Sequence, residues 1–290
     1  MRLYPDQFLS IPISLPPLDE QRAIADFLDA MDARIDRFIA ARRRMIALLE
    51  EQKQAIVNQA VTKGLDPDVP MKPSAVEWLG DIPAHWEVST LGRLVSVLGG
   101  MTPSKANVDY WIGTVPWISP KDMKTAQITG AVDFVSNRAV QATGLVMVPV
   151  RSVLIVVRGM ILARKVPVAV TGVPLTINQD MKALVPNTGL NADYLARLLE
   201  SAQDALFSLI DEAGHGTRRL PTPSLLGMEL PVPPEDEQQR IVEHIERAMS
   251  KFGQATRRHA REIELIQEYR TRLISDVVTG KVDVRDVPAG

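Results

Sequence analysis

The sequence repeats itself once, one copy near each end. Shifted by 217 residues, Pro16, Pro17, Asp19, Glu20, Gln21 and Ile24 fall on Pro233, Pro234, Asp236, Glu237, Gln238 and Ile241. The register holds without a gap through Ile46, Leu48 and Glu51 on Ile263, Leu265 and Glu268. It closes with Val61, Thr62 and Asp66 on Val278, Thr279 and Asp283. Residues 1–66 and 218–283 share 16 identities, with Arg2 and Leu3 on Arg219 and Leu220 among them. Copies that alike must fold alike, and everything between them becomes an insertion held at both ends.

Each copy predicts one long helix, over 19–63 and 235–279. Pro-Pro precedes an acidic first turn, Asp19-Glu20 or Asp236-Glu237, which suits the positive end of a helix dipole. In the first copy Ile24, Leu28, Met31, Ile35, Phe38, Met45, Leu49 and Ile56 keep alternating four-three spacing, with Arg42 and Gln52 as breaks. In the second, Ile241, Ile245, Ala248, Phe252, Ala255, Ile266, Tyr269 and Leu273 hold the equivalent seats, with His259 and Glu262 as breaks. A sustained repeat of 3.5 residues is a coiled-coil seam, and neither helix can bury its seam alone. Antiparallel pairing is therefore expected, within the chain or between chains. Gly64 and Gly280 stand where helix stops belong. Arg42-Arg43-Arg44 reads as a solvated helix face.

Between the helices, residues 64–84 form a Pro-rich connector and 85–232 a mixed α/β domain. The overall class is α+β, with one such domain flanked by two long coiled-coil-type helices. Strand-like runs are Leu91–Leu98, Val115–Ser119, Val153–Val157, Val166–Thr171 and Met181–Val185, separated by Gly, Pro and Asn turns. Asn191–Ile210 predicts a capped amphipathic helix. Residues 1–18 and 280–290 are left as tails.

Charge is unevenly placed. The chain as a whole has a formal net charge of −2, yet residues 91–190 hold ten Lys or Arg against four Asp and no Glu. The helical flanks 19–66 and 235–286 each come to −1. A basic middle between balanced flanks points to an anionic ligand for the middle. The polar candidates cluster in loops: Thr102, Ser104 and Lys105; Ser119, Lys121 and Lys124; Arg158, Arg164 and Lys165; Asn178 and Gln179; and His215, Thr217, Arg218 and Arg219. Lys and Arg position a nucleic-acid backbone, and Arg, Lys, Asn and Gln also bond base edges.

Composition removes other classes. With 46% apolar and 23% charged residues the chain can build a core. It has no cysteine, which excludes disulfides, thiol nucleophiles and thiolate metal sites. No run reaches a membrane span, and the first residues lack the apolar region of a secretory signal, so a cytoplasmic location is expected. The segment from Gly99 to Lys105 lacks the Gly-Lys-Ser/Thr ending of a phosphate loop. The histidines at 85, 215, 244 and 259 have no metal-ligand spacing, and no catalytic residue or metal site is assigned. His215 near Asp211 and Glu212 could be drawn as a hydrolytic pair, but its glycine neighbours fit a contact or hinge loop better.

Several motifs in fixed order carry a resemblance. They are Glu77-Trp78-Leu79-Gly80-Asp81-Ile82-Pro83 with His85-Trp86-Glu87-Val88, Trp117-Ile118-Ser119-Pro120-Lys121-Asp122-Met123 and Ser152–Gly159. Thr176-Ile177-Asn178-Gln179-Asp180-Met181, Gly214-His215-Gly216-Thr217 and the Pro-Pro-x-Asp-Glu-Gln helix starts complete the set. The chain resembles a specificity subunit of a type I restriction–modification system over essentially its whole length. The resemblance implies a target-recognition domain that reads half of a split site in double-stranded DNA. It implies long helices that act as a spacer and dock methyltransferase subunits, with restriction subunits as further partners. S-adenosylmethionine, ATP and Mg would be brought by those partners, and this chain would bind no cofactor.

Such subunits carry two recognition domains, whereas this sequence has one, and residues 1–18 look like the tail of a missing first domain. A homodimer, or pairing with another half subunit, would supply the second. Two readings stay open: a DNA-recognition subunit, or a truncated remnant that binds methyltransferase or modulates assembly without reading DNA. A coiled-coil scaffold with no nucleic-acid role fits the ordered motifs poorly.

Overall fold

The computed structural model describes residues 9–10, 15–213 and 217–285. They fall into two compact units, one of residues up to Lys53 together with Met249 onward, the other Gln54–Ala248. The repeat forms helices α1 (Leu18–Lys63) and α7 (Glu235–Val278), of 46 and 44 residues. At ~1.5 Å per residue each is on the order of 65–70 Å long. Gly64 and Gly280 end them with φ of 79° and 72°, the left-handed stop that glycine adopts without strain. The repeat extends to single bonds. Gln21 Nε2 donates to Pro16 O and Gln238 Nε2 to Pro233 O, and Thr62 and Thr279 each bond the carbonyl four residues back.

In the first unit α1 and α7 run antiparallel. Arg42 Nε lies 2.8 Å from Glu262 Oε2, and Arg270 reaches Asp32 at 2.9 Å and Asp36 at 3.0 Å. Ascending numbers on one helix thus face descending numbers on the other. Three of the four seats read from sequence as breaks come together: Glu262 also accepts from His259 at 3.1 Å, and Arg42 lies 4.6 Å from the Phe38 ring centroid, while Gln52 is exposed. His259 is the repeat equivalent of Arg42, so this polar layer sits where the two copies cross. Arg42 is therefore a seam partner, which corrects its reading as solvated surface, while Arg43 and Arg44 are exposed as expected.

Two apolar seats are also corrected. Met45 is 41% and Tyr269 46% exposed, and the seam is taken instead by Ile46 and Arg270. The α-helix turns in 3.6 residues, so a strict 3.5-residue frame drifts by ~20° per heptad. Two successive four-residue steps, Phe38–Arg42–Ile46 and Glu262–Ile266–Arg270, absorb the drift. The other seats, from Ile24 to Ile56 and from Ile241 to Leu273, are buried or half-buried.

The second unit takes in the last turns of α1 and the first of α7. It opens with two short antiparallel pairs: β1 (Met71–Pro73) with β2 (Asp81–Pro83), and β3 (Glu87–Thr90) with a late strand, β14 (Glu229–Val232). Leu91–Leu94, expected as strand, is instead a helical turn, α2, leading into β4 (Val95–Gly99). Leu91 N bonds Met228 O, which carries the β3–β14 ladder one residue further before the chain turns.

Three strands follow: β5 (Val115–Ile118), β6 (Gln127–Ile128) and β7 (Asp133–Val135), then helix α3 (Asn137–Thr143). Next come β8 (Val153–Val156), β9 (Val168–Thr171), β10 (Thr176–Ile177) and β11 (Met181–Pro186). The main sheet has order β4-β11-β8-β9-β6, antiparallel except for the β6–β9 pair. A second sheet, β10-β5-β7, is parallel between β10 and β5. Every residue of β8 and β9 is buried, which is why both read as unbroken apolar runs.

Helix α4 (Ala192–Ser201) covers this sheet with Leu195, Leu198 and Leu199, each worth roughly 1.5–3 kcal/mol on burial. The single helix expected over Asn191–Ile210 breaks at Ala202, whose ψ of 27° starts a separate α5 (Gln203–Ser208). A hairpin of β12 (Asp211–Ala213) and β13 (Thr217–Arg219) and helix α6 (Thr222–Gly227) complete the unit.

The helix ends are built into this unit by polar anchors. Gln238, fully buried, accepts from Asn191 N at 2.8 Å and donates to Gly189 O at 3.0 Å and Pro233 O at 2.9 Å. The Tyr194 hydroxyl lies 3.1 Å from both Val61 O and Pro231 O, and burial pushes its pKa well above the usual phenol value. His85 contacts Glu237 at 2.7 Å. No helix among the described residues is long and apolar enough to cross a membrane.

Candidate nucleic-acid interface

Parallel pairing of β5 and β10 sets Trp117 beside Thr176 and Ile118 beside Ile177, so two loops leave the sheet side by side. In the first loop, Ser119 donates to Asp122 Oδ2 through both N–H (2.9 Å) and hydroxyl (3.0 Å), while Val132 N occupies the other carboxylate oxygen. In the second, Asn178 and Asp180 close a turn on each other, and Asn178 N bonds Ile118 O at 2.9 Å. A third loop lies against the second: Met101 N bonds Ile177 O and the Thr102 hydroxyl donates to Gln179 Oε1. Gly100 makes that approach possible, because a Cβ there would stand 2.1 Å from Asn178 O.

The chain of contacts continues. Asp180 O accepts from Val157 N at 2.8 Å and Arg158 N at 3.2 Å. Arg158 forms a β-bridge with Arg219, and Gly159 N bonds Arg218 O at 3.1 Å. Loops near 102, 119, 158 and 178, together with strand β13, where Thr217, Arg218 and Arg219 were expected in a loop, are thereby fastened into one surface by backbone hydrogen bonds. Functional groups on loops held by a rigid sheet are the usual design for recognition.

The candidates play unlike parts. Arg158, Arg164, Lys165, Arg219, Lys105 and Lys124 are exposed, and none has a carboxylate within ion-pair distance among the described residues. Arg218 lies 3.4 Å from Glu212, and with Arg164 it lines a pocket of about 330 Å³. Lys121 bonds Asp133 at 2.6 Å, which raises its pKa above the usual lysine value. Lys105 and the same Asp133 line a pocket of about 410 Å³ with Val108, Trp111 and Ile112. Trp111 stacks edge-on to Trp117, which anchors this corner to the core.

Thr102, Ser104 and Gln179 reach the surface, and Thr217 is half-buried in β13. Ser119 and Asn178 are buried, at 7% and 5% exposure, and their side chains are spent on the turns, so they shape the surface. His215 lies outside the described residues. Asp133 was missed by the sequence reading, since its counterion Lys121 comes from another loop. Met160, 82% exposed between Arg158 and Arg164, was missed as well, since the candidates were chosen among polar residues.

Comparison with known proteins agrees with this architecture. The model of the type I restriction modification DNA specificity domain matches residues 1–44 and 83–266. The specificity subunit of the type I restriction enzyme EcoR124I/EcoR124II of Escherichia coli is 32% identical over 246 residues, covering 83% of this chain and 57% of that protein. That of MjaIX from Methanocaldococcus jannaschii is 27% identical, over 68% of this chain and 45% of its own length.

Among solved structures, a chain from a study of complex assembly and conformational transition of the type I R-M system superposes with TM-score 0.71 at 20% identity. It covers 92% of this chain and 60% of that one. The crystal structure of the HsdS subunit from Thermoanaerobacter tengcongensis gives TM-score 0.56 at 19% identity, over 93% and 60%. The chain thus spans about half to three-fifths of the length of these relatives. With the matched residues making up most of its length, the chain belongs to the type I restriction modification DNA specificity domain family.

Proposed function

We propose that this chain is a DNA-recognition subunit of a type I restriction–modification complex. The unit Gln54–Ala248 reads one half of a bipartite site, and the paired helices act as spacer and as the dock for methyltransferase subunits. The observation that carries this reading is the single surface formed by four loops and strand β13 on a rigid sheet, with six exposed cations that have no carboxylate within ion-pair distance among the described residues. Cations of that kind neutralise phosphates, and the polar groups between them face the bases. Methylation and cleavage belong to partner subunits that bring S-adenosylmethionine, ATP and magnesium. The site of action is the cytoplasm, where such a complex meets DNA.

A second reading head fits the repeat. Val61 is fully buried in the unit Gln54–Ala248, whereas its equivalent Val278 is 54% exposed. Gln238 spends its amide on Asn191 and Gly189, whereas among the described residues Gln21 bonds only within its own helix start. The start of α1 and the end of α7 therefore offer a second, equivalent seat for a recognition domain, from another copy of this chain or from a different specificity chain. Two heads on an antiparallel spacer would read two half-sites at fixed separation, since protein spacing sets DNA spacing.

The test is a methylome. The chain is expressed with its cognate methyltransferase subunit in a host without such systems, and modified bases are read genome-wide. A split palindrome supports two copies reading DNA, and a split asymmetric motif supports a hybrid. An assembled complex that methylates no motif overturns the reading. In vitro, about six phosphate contacts would weaken duplex binding roughly 10³-fold between 50 and 200 mM salt.

A further inference from the structure

Met160 is the most exposed large apolar side chain named in the second unit, at 82%, and it is not on a loose segment. It opens the 3₁₀ turn Met160–Ala163, whose Leu162 is fully buried. Leu162 N bonds Gly159 O, Arg164 N and Lys165 N both bond Ile161 O, and Gly159 N bonds Arg218 O. The residues before it are tied down as well, by Val157 N and Arg158 N on Asp180 O and by Leu220 N on Val157 O. The turn is fixed from below while its first side chain stands in solvent.

The surroundings are cationic. Arg158 precedes Met160 by two residues and Arg164-Lys165 follow it, while Arg218 and Arg219 come alongside on β13. The nearby acids are Asp180, held by Asn178, Glu212, paired with Arg218, and Asp211 on the same hairpin. An apolar tip among cationic neighbours gains nothing from phosphates. Its complement is an apolar feature on a polyanion, and on the major-groove edge of a duplex that feature is the thymine C5-methyl group. The flexible, polarisable thioether suits such a contact.

We infer that Met160 is a specificity-determining residue, reading a thymine methyl in the half-site while the flanking arginines hold the backbone. This rests on the proposed DNA-recognition role and goes further by naming the residue and the base feature.

The experiment uses the full chain with its methyltransferase subunit and duplexes carrying the motif found by methylome, each motif thymine replaced in turn by deoxyuridine. For the wild type, one replacement is expected to weaken binding about four-fold, the equivalent of about 0.8 kcal/mol for one methyl group. Met160→Ala is expected to bind the natural duplex roughly tenfold more weakly, to ignore that replacement and to methylate a motif relaxed at that position. Met160→Leu should keep both affinity and motif.

An exposed site leaves the melting temperature unchanged in both variants, which separates lost contact from lost fold. The inference is overturned if Met160→Ala keeps wild-type affinity and motif, if every deoxyuridine effect persists in it, or if the half-site has no A·T pair. Weaker binding by Met160→Ala with no deoxyuridine effect in the wild type would mean insertion between base steps, and also overturns it. If the wild type itself reads no motif, the parent reading fails and this inference falls with it. If the wild type reads one that Met160 does not affect, only this inference fails.

Discussion

Replacing Gln238 and its repeat equivalent Gln21 by leucine should have unequal costs. Gln238 is fully buried and makes three hydrogen bonds, from Asn191 N and to Gly189 O and Pro233 O. Leucine has nearly the same volume but leaves those backbone groups without partners. At about 1 kcal/mol for each bond, Gln238→Leu should lower stability by about 3 kcal/mol. Gln21 is half-buried and among the described residues makes one side-chain bond, to Pro16 O at 2.8 Å, so Gln21→Leu should cost about 0.5–1 kcal/mol.

All four tryptophans, at 78, 86, 111 and 117, lie in the unit Gln54–Ala248, and Trp86 is fully buried. Urea unfolding followed by tryptophan fluorescence therefore reports on the unit that Gln238 anchors, with circular dichroism at 222 nm following the helices. Gln238→Leu should shift the fluorescence transition, while Gln21→Leu leaves it near the wild type. Losses equal within about 0.5 kcal/mol, or a larger loss at Gln21, would refute the assignment of Gln238 as the polar anchor that ties the start of α7 into the unit Gln54–Ala248.

Two further outcomes test the helical pair. Ile46→Glu should destabilise it by about 2 kcal/mol in thermal melts, whereas Met45→Glu should stay within about 0.5 kcal/mol; the reverse order would restore the strict four-three seam. The bond from His259, with Arg42 and Arg258 beside it, holds the Glu262 carboxyl below its usual value of 4.5. A carboxyl lowered on folding stabilises fully above its unfolded value and loses that effect as pH falls through the folded one. The stability gap between wild type and Glu262→Gln should therefore be full at pH 7 and close in acid below the ordinary glutamate range. A gap that widens in acid would contradict the ion pair.

The long helices were legible because the repeat and the apolar spacing are local properties of the chain, and strands β8 and β9 because burial on both faces leaves an unbroken apolar run. Short-range pattern failed where a distant partner intervenes. The seam moves from Tyr269 to Arg270, where Asp32 and Asp36 supply counter-charges across the pair. The candidate loops were found by composition, yet nothing in composition distinguishes Arg158, free at the surface, from Lys121, tied to Asp133.

The sequence by itself determined two equivalent helices, the basic insertion between them and the chemistry that the insertion can offer. Those follow from periodicity and charge, which are written along the chain. Only the tertiary structure decided that five separate segments share one surface, that Arg42 of one helix pairs with Glu262 of the other and that Met160 stands outside the core. Each of these depends on hydrogen bonds and charges between residues tens to hundreds of positions apart, and such partners are chosen by the packing of the whole fold.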